Sequence, residues 1–130
     1  MPLTWHQGLA VGVPEMDGQH RKLLDLINDL EAALDAGREP AALGGITRRM
    51  QDYARYHFAT EETRMAYACY PDTAAHQAEH ASFLAQAQAL DPSRDIPAAS
   101  PHLVLEFLRN WLVTHISGTD KTLGAFLQGM

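Results

Sequence analysis

The sequence predicts an all-α fold, an up-down-up-down four-helix bundle with an N-terminal arm and a short C-terminal helical segment. Three observations carry that prediction. Apolar residues recur at three- and four-residue steps through four long stretches; Gly37 and Pro40, then Pro71, then Pro92, Pro97 and Pro101 punctuate those stretches; and no stretch alternates polar and apolar residues as a strand would. With 130 residues, 46% of them hydrophobic, the chain is long enough to bury a core without staples. It reads as a single domain over 1–130, with the arm at 1–16, the bundle at about 17–117 and the closing segment at about 118–130.

The arm carries Leu3, Trp5, Leu9, Val11, Val13 and Pro14. It is too apolar for a free tail and too broken by glycine and proline for a long helix, so it is expected to pack along the bundle. Asp17 is placed to cap a first helix in which Leu23, Leu24, Ile27, Leu30 and Leu34 share a face. His20 stands at the upstream end of that line, and Gly37 suits a left-handed terminator. Pro40 opens a second helix, whose inward stripe runs Leu43, Ile46, Met50, Tyr53, His57, Glu61 and Met65. The third, from about Asp72 to Leu90, turns His76, His80, Phe83, Leu84 and Ala87 inward. A proline-rich connection follows, with Ser100 before Pro101 as the expected cap of the fourth helix. Val104, Leu108, Trp111 and His115 step along that helix, Gly118 is expected to end it or come close, and Leu123, Phe126 and Leu127 belong to the closing segment.

Composition excludes several classes of function. A net charge of −6 and the absence of a Lys/Arg cluster argue against nucleic acid, whose phosphates are bound mainly through such clusters. No apolar run approaches the ~20 residues of a membrane span. The single cysteine, Cys69, cannot form an internal disulfide, and the N-terminus lacks a basic start followed by an apolar core. The expectation is a cytoplasmic protein.

The polar residues on the buried lines carry the functional signal. An α-helix turns about 100° per residue, so residues four apart share a face. His57 with Glu61, and His76 with His80, each present two donors to one object. One histidine on an apolar face is ordinarily a core residue with a hydrogen-bond partner. Five of the seven histidines, His20, His57, His76, His80 and His115, fall on core lines together with Glu61. Their joint desolvation would cost several kcal/mol unless they were satisfied, and metal ions satisfy all of them at once. Asp120, five residues after His115, adds a second carboxylate, whereas His6 and His102 fall off the lines and read as surface residues. Seven side chains exceed the four ligands of a tetrahedral zinc site. Two ions sharing both carboxylates use them all; the donors suit iron, with manganese and zinc left open.

The order His20, His57-xxx-Glu61, His76-xxx-His80, His115-xxxx-Asp120 resembles the hemerythrin family, and the flanking sequence resembles its bacterial branch. Thr4-Trp5, Leu9-Ala10-Val11-Gly12-Val13 and Asp17-Gly18-Gln19-His20 match the opening of such proteins. His115-Ile116-Ser117-Gly118-Thr119-Asp120-Lys121 and Leu123-Gly124-Ala125-Phe126-Leu127 match their ending. The resemblance implies a non-heme di-iron centre with an oxo or hydroxo bridge. In it His76, His80 and His115 complete one iron, His20 and His57 hold the other, and Glu61 and Asp120 bridge them. It further implies reversible binding of dioxygen at the iron with the open position, for oxygen carriage, storage or delivery, by a protein that is not an enzyme; a monomer is expected. Leu24, Trp111 and Leu112 are the candidates for the wall of the oxygen pocket. Other outcomes compatible with the same site are an oxygen or redox sensor acting through a separate partner, or a di-iron enzyme reducing peroxide or nitric oxide. One departure is visible: Cys69 stands before Tyr70-Pro71, where the family often has glycine. If that position is left-handed, cysteine costs roughly 1 kcal/mol or more.

Overall fold

The structure, a computed structural model, describes residues 2–89 and 101–129, without the side chains of residues 40 and 101. After a 3₁₀ turn (Gln7–Leu9) come α1 (Pro14–Asp35), α2 (Pro40–Ala68), α3 (Thr73–Ala89) and α4 (Pro101–His115); α4 continues through a π-helical turn (Ile116–Asp120) into α5 (Lys121–Gln128). No strand occurs among the described residues. Helices α1 and α3 each pack against both α2 and α4, which closes the ring of the expected up-down-up-down bundle. The proline-rich connection and its Ser100 cap lie outside the described residues.

Local chemistry sets the helix ends, and not always as the sequence suggests. Helix α1 begins at Pro14, inside the stretch read as arm, because a proline at the first helical position lacks only an N–H that the helix does not use. Asp17 is therefore no cap. It sits in the first turn, where its Oδ1 accepts from the Val11 N–H at 2.8 Å and ties the arm back onto the helix. Helix α1 stops as expected: Gly37 is left-handed at φ 68°, with Gly37 N bonded to Leu34 O and Arg38 N to Ala33 O. Helix α2 ends with the same pair of bonds, Cys69 N to Ala66 O and Tyr70 N to Met65 O. Its left-handed residue, at φ 52°, is Cys69.

Gly118 does not end α4. The chain widens there by one turn of π-helix, whose i→i+5 hydrogen bonds admit one extra residue per turn. The arm then clasps both ends of the fold. Leu3 N and Leu3 O bond the Asn28 side chain, both at 2.8 Å, and Gln128 Nε2 donates to Val11 O at 2.8 Å. At Gly124 a Cβ would fall 2.2 Å from Val11 O, so α5 approaches the arm only because that residue is glycine.

Two apolar layers enclose a polar level. Leu30, Met50, Ala87 and Leu108 are buried towards the α1–α2 turn, and Met16, Met65 and Leu123 towards the α2–α3 turn. Among the described residues, no helix is long and apolar enough to cross a membrane.

Candidate metal centre

All seven side chains picked out from the sequence converge between those layers, none more than 3% exposed. His20 comes from α1, His57 and Glu61 from α2, His76 and His80 from α3, His115 from the end of α4 and Asp120 from the π turn. The π turn explains how the last two meet. In a plain α-helix, five residues leave side chains about 140° apart; the extra residue brings Asp120 round until its Oδ1 lies 3.0 Å from His115 Nε2.

The donors sort into two halves about the two carboxylates. On one side, His80 Nε2 lies 2.9 Å and His76 Nε2 3.4 Å from Glu61 Oε1, while His76 Nε2 lies 3.1 Å from Asp120 Oδ1, the oxygen that His115 also faces. On the other side, His57 Nε2 lies 3.5 Å and His20 Nε2 3.8 Å from Glu61 Oε2, and His20 Nε2 lies 2.9 Å from Asp120 Oδ2. Each carboxylate thus gives one oxygen to a three-histidine half and the other to a two-histidine half. Within each half a set of donor atoms lies within 4.8 Å of one another, close enough to hold a metal ion. Short as these separations are, the groups are not aligned as hydrogen bonds. Among the described residues, the buried side-chain nitrogens and oxygens without a partner all belong to these seven, including every Nε2 and all four carboxylate oxygens. Lone pairs that converge on common points while avoiding one another are what metal ligation needs and what an ordinary polar core does not leave.

The electrostatics of the metal-free site follow from burial opposed by close charge. Burial alone would lower the pKa of His20 and His76, but the adjacent carboxylates of Asp120 and Glu61 carry both up to about 9. For His57 burial prevails and the pKa is lowered. Burial pushes Glu61 up, yet His20, His57, His76 and His80 together hold it well below the usual carboxylate range. Asp120, pushed up by burial and by Glu61, is brought down to about 2 by His115, His20 and His76.

A second ring of residues orients the first, and sequence reading did not find it. Gln19 Oε1 accepts from His57 Nδ1 at 2.6 Å, and the amide is itself oriented by Nε2 donating to Thr60 Oγ1 at 3.3 Å. An oxygen acceptor at Nδ1 places the ring proton there and leaves Nε2 free to bind. Glu62 Oε2 accepts from His80 Nδ1 at 3.0 Å. Phe58 stacks on His80 with ring centroids 3.8 Å apart. The only sequence hint was adjacency: Gln19 precedes His20 and Glu62 follows Glu61, yet which imidazole each one meets depends on the register between helices. Leu24 and Leu112 are buried as expected, Leu24 one turn beyond His20. Trp111 is half-buried, and its ring lies flat on His115 at 4.3 Å, on the three-histidine half. His6 and His102 are exposed; His6 Nδ1 accepts from Gly8 N in the arm.

Comparison with known proteins agrees with this geometry. Residues 11–127 match the family model described as the hemerythrin HHE cation binding domain. The chain is 33% identical over 119 residues to a hemerythrin-like protein of Naegleria gruberi, covering 92% of this chain and 88% of that one. It is 32% identical over 127 residues to a bacteriohemerythrin of Methylococcus capsulatus, covering 96% of each. Among solved structures, a wild-type hemerythrin superposes with a TM-score of 0.84 at 29% identity, over 98% of each chain.

Proposed function

The chain belongs to the hemerythrin family, and from that premise we propose that it binds dioxygen reversibly at a pair of non-heme iron ions. It would carry, store or deliver oxygen in the cytoplasm as a monomer, without converting a substrate. The observation that carries this reading is the division of each carboxylate between two histidine sets. One ion would leave one set idle; two ions would give every Nε2 and all four carboxylate oxygens a role, with Glu61 and Asp120 each offering one oxygen to either half. His76, His80 and His115 would hold one iron and His20 and His57 the other. The iron held by His20 and His57, with one imidazole fewer, would be the one to take oxygen. When bound, the iron pair supplies the two electrons that reversible oxygenation requires.

The chain's own residues supply the conditions for reversibility. Two carboxylates among five imidazoles put less negative charge on the metals than a carboxylate-rich site would, which favours holding oxygen over cleaving it. Gln19 and Glu62 keep His57 and His80 in the tautomer whose Nε2 can bind. Leu24, Leu112 and Phe58, all buried, exclude the water and protons that would release reduced oxygen and strand the oxidised protein, and Trp111 covers the neighbouring imidazole. The experiment is to load the reduced protein with iron anaerobically and record visible absorption as oxygen is admitted and removed. A band that appears with oxygen and fades without it supports the reading. Continuous consumption of oxygen, peroxide or nitric oxide with added reductant would contradict it and indicate an enzyme.

A further inference from the structure

Beside the three-histidine half, the surface dips into a cavity of about 220 Å³ lined by Tyr70, Asp72, His76, Glu79, Thr119 and Thr122. It lies where the α2–α3 turn, the first turns of α3 and the π turn meet. Its walls bear two carboxylates and two threonine hydroxyls, and no Lys or Arg is among the residues lining it. Oxygen donors of net negative charge select a hard or borderline divalent cation and repel anions. The inner wall is His76, itself only 1% exposed. Its Nε2 is turned towards Glu61 and Asp120, while its Nδ1 is buried without any partner.

Two of the lining residues also meet each other in an exposed contact. Thr119 Oγ1, on the π turn, lies 3.0 and 2.8 Å from the two carboxylate oxygens of Glu79, on α3, and donates to that carboxylate. Glu79 Oε1 in turn stands 3.6 Å from His115 Nδ1. A hydrogen bond open to solvent is readily exchanged for bonds to water, and a π turn is a local irregularity rather than a rigid stretch of helix. A cation that takes Thr119's place on Glu79 stands beside both His76 and His115.

We infer that this cavity is the port through which ferrous iron reaches the buried site. Asp72 and Glu79 form a transient docking site for the hydrated cation before it passes His76, the buried residue of the lining, into the three-histidine half. The inference rests on the reading that the seven buried residues hold metal, and its test separates the two. Metal-free protein is mixed anaerobically with Fe²⁺, and in parallel with Co²⁺. Uptake is followed by the fluorescence of Trp111, whose ring lies on His115; release is followed with a chelator, and final stoichiometry by elemental analysis. The variants are Asp72→Asn, Glu79→Gln and the pair together, with Asp29→Asn on the exposed side of α1 as control.

A residue on the route but not at its end affects uptake and release alike, because the same path is travelled in both directions. The double variant is therefore expected to take up metal about tenfold more slowly, with unchanged stoichiometry and a weaker dependence of uptake on salt; its affinity falls as well, because Glu79 also stands beside His115. Asp72→Asn alone, which leaves the Glu79–His115 contact in place, is the decisive variant: it should slow uptake and release by the same factor, with unchanged affinity. Uptake as fast as in the parent, or faster release with uptake unchanged, would overturn the port while leaving the metal site standing. A folded parent that takes up no metal would overturn both.

Discussion

Near the α1–α2 turn, the buried polar side chains close to the Leu30–Met50–Leu108 layer, Glu31, Thr47 and Gln51, are each satisfied within the protein; Glu31 Oε2 accepts from Arg109 at 2.7 Å. Thr47 Oγ1 donates to Leu43 O and Gln51 Nε2 to Ala87 O. About two turns along the same helices, seven buried polar side chains leave their facing atoms unsatisfied. The two regions share helices, burial and packing partners and differ in whether the polar accounting closes without a ligand. The apolar layers hold the chain in its fold, and the polar level is a site kept in shape by those layers at a cost in desolvation. Changes in the two regions should therefore have separable effects.

The largest separation is expected from Glu61→Ala, which removes the carboxylate shared by both halves. Metal content should fall to near zero, and the stabilisation that metal gives the parent should vanish with it, as read by elemental analysis and thermal unfolding. Leu108→Ala in the apolar layer should do the reverse. It should lower stability by about 2–5 kcal/mol, equally with and without metal, while both ions are retained. Between these lies Gln19→Ala, which frees the His57 ring; a loss of about 10–100-fold in metal affinity is expected, with little change in the stability of the metal-free fold.

Acidity should move the metal-free stability and the metal affinity of the polar level in opposite directions. In the metal-free protein the raised His20 and His76 contribute stability fully below their ordinary pKa of 6.5, lost as pH rises through about 9. The depressed Asp120 contributes above its ordinary 3.8, lost as pH falls through about 2. Metal needs neutral imidazoles, so binding at pH 7 must expel the protons on His20 and His76. From pH 6.5 to 9 the contribution of these groups to metal-free stability should fall while metal affinity rises, which calorimetry in buffers of differing ionisation enthalpy can measure as proton release. The smallest effect lies at a third place, the two left-handed helix ends. Gly37 and Cys69 share one geometry, so Cys69→Gly should raise stability by about 1 kcal/mol, with metal content unchanged.

Much of this was legible in the sequence because its signals are local. Gly37 and Pro40 mark their helix ends by backbone chemistry alone, and the four-residue steps of His57–Glu61 and His76–His80 place each pair on one face. Pro14 misled because a proline is both a helix breaker and a favoured first residue, and only the folded arm, tied back by Asp17, decides which. Gly118 misled similarly. The five-residue spacing of His115 and Asp120 was itself the clue to a widened turn, since a plain helix would separate them. Gln19, Glu62 and the Glu79–Thr119 contact depend on which turn of one helix faces which turn of another. That register is set by packing across the whole bundle and is not written in any one segment.

The most direct test of the two-halves account is the number and coupling of the metals. Protein reconstituted anaerobically with ⁵⁷Fe, analysed for iron and then oxidised for Mössbauer spectroscopy, should contain two irons per chain, magnetically coupled as a pair that shares bridging ligands. A folded protein with one isolated iron, or none, would contradict it.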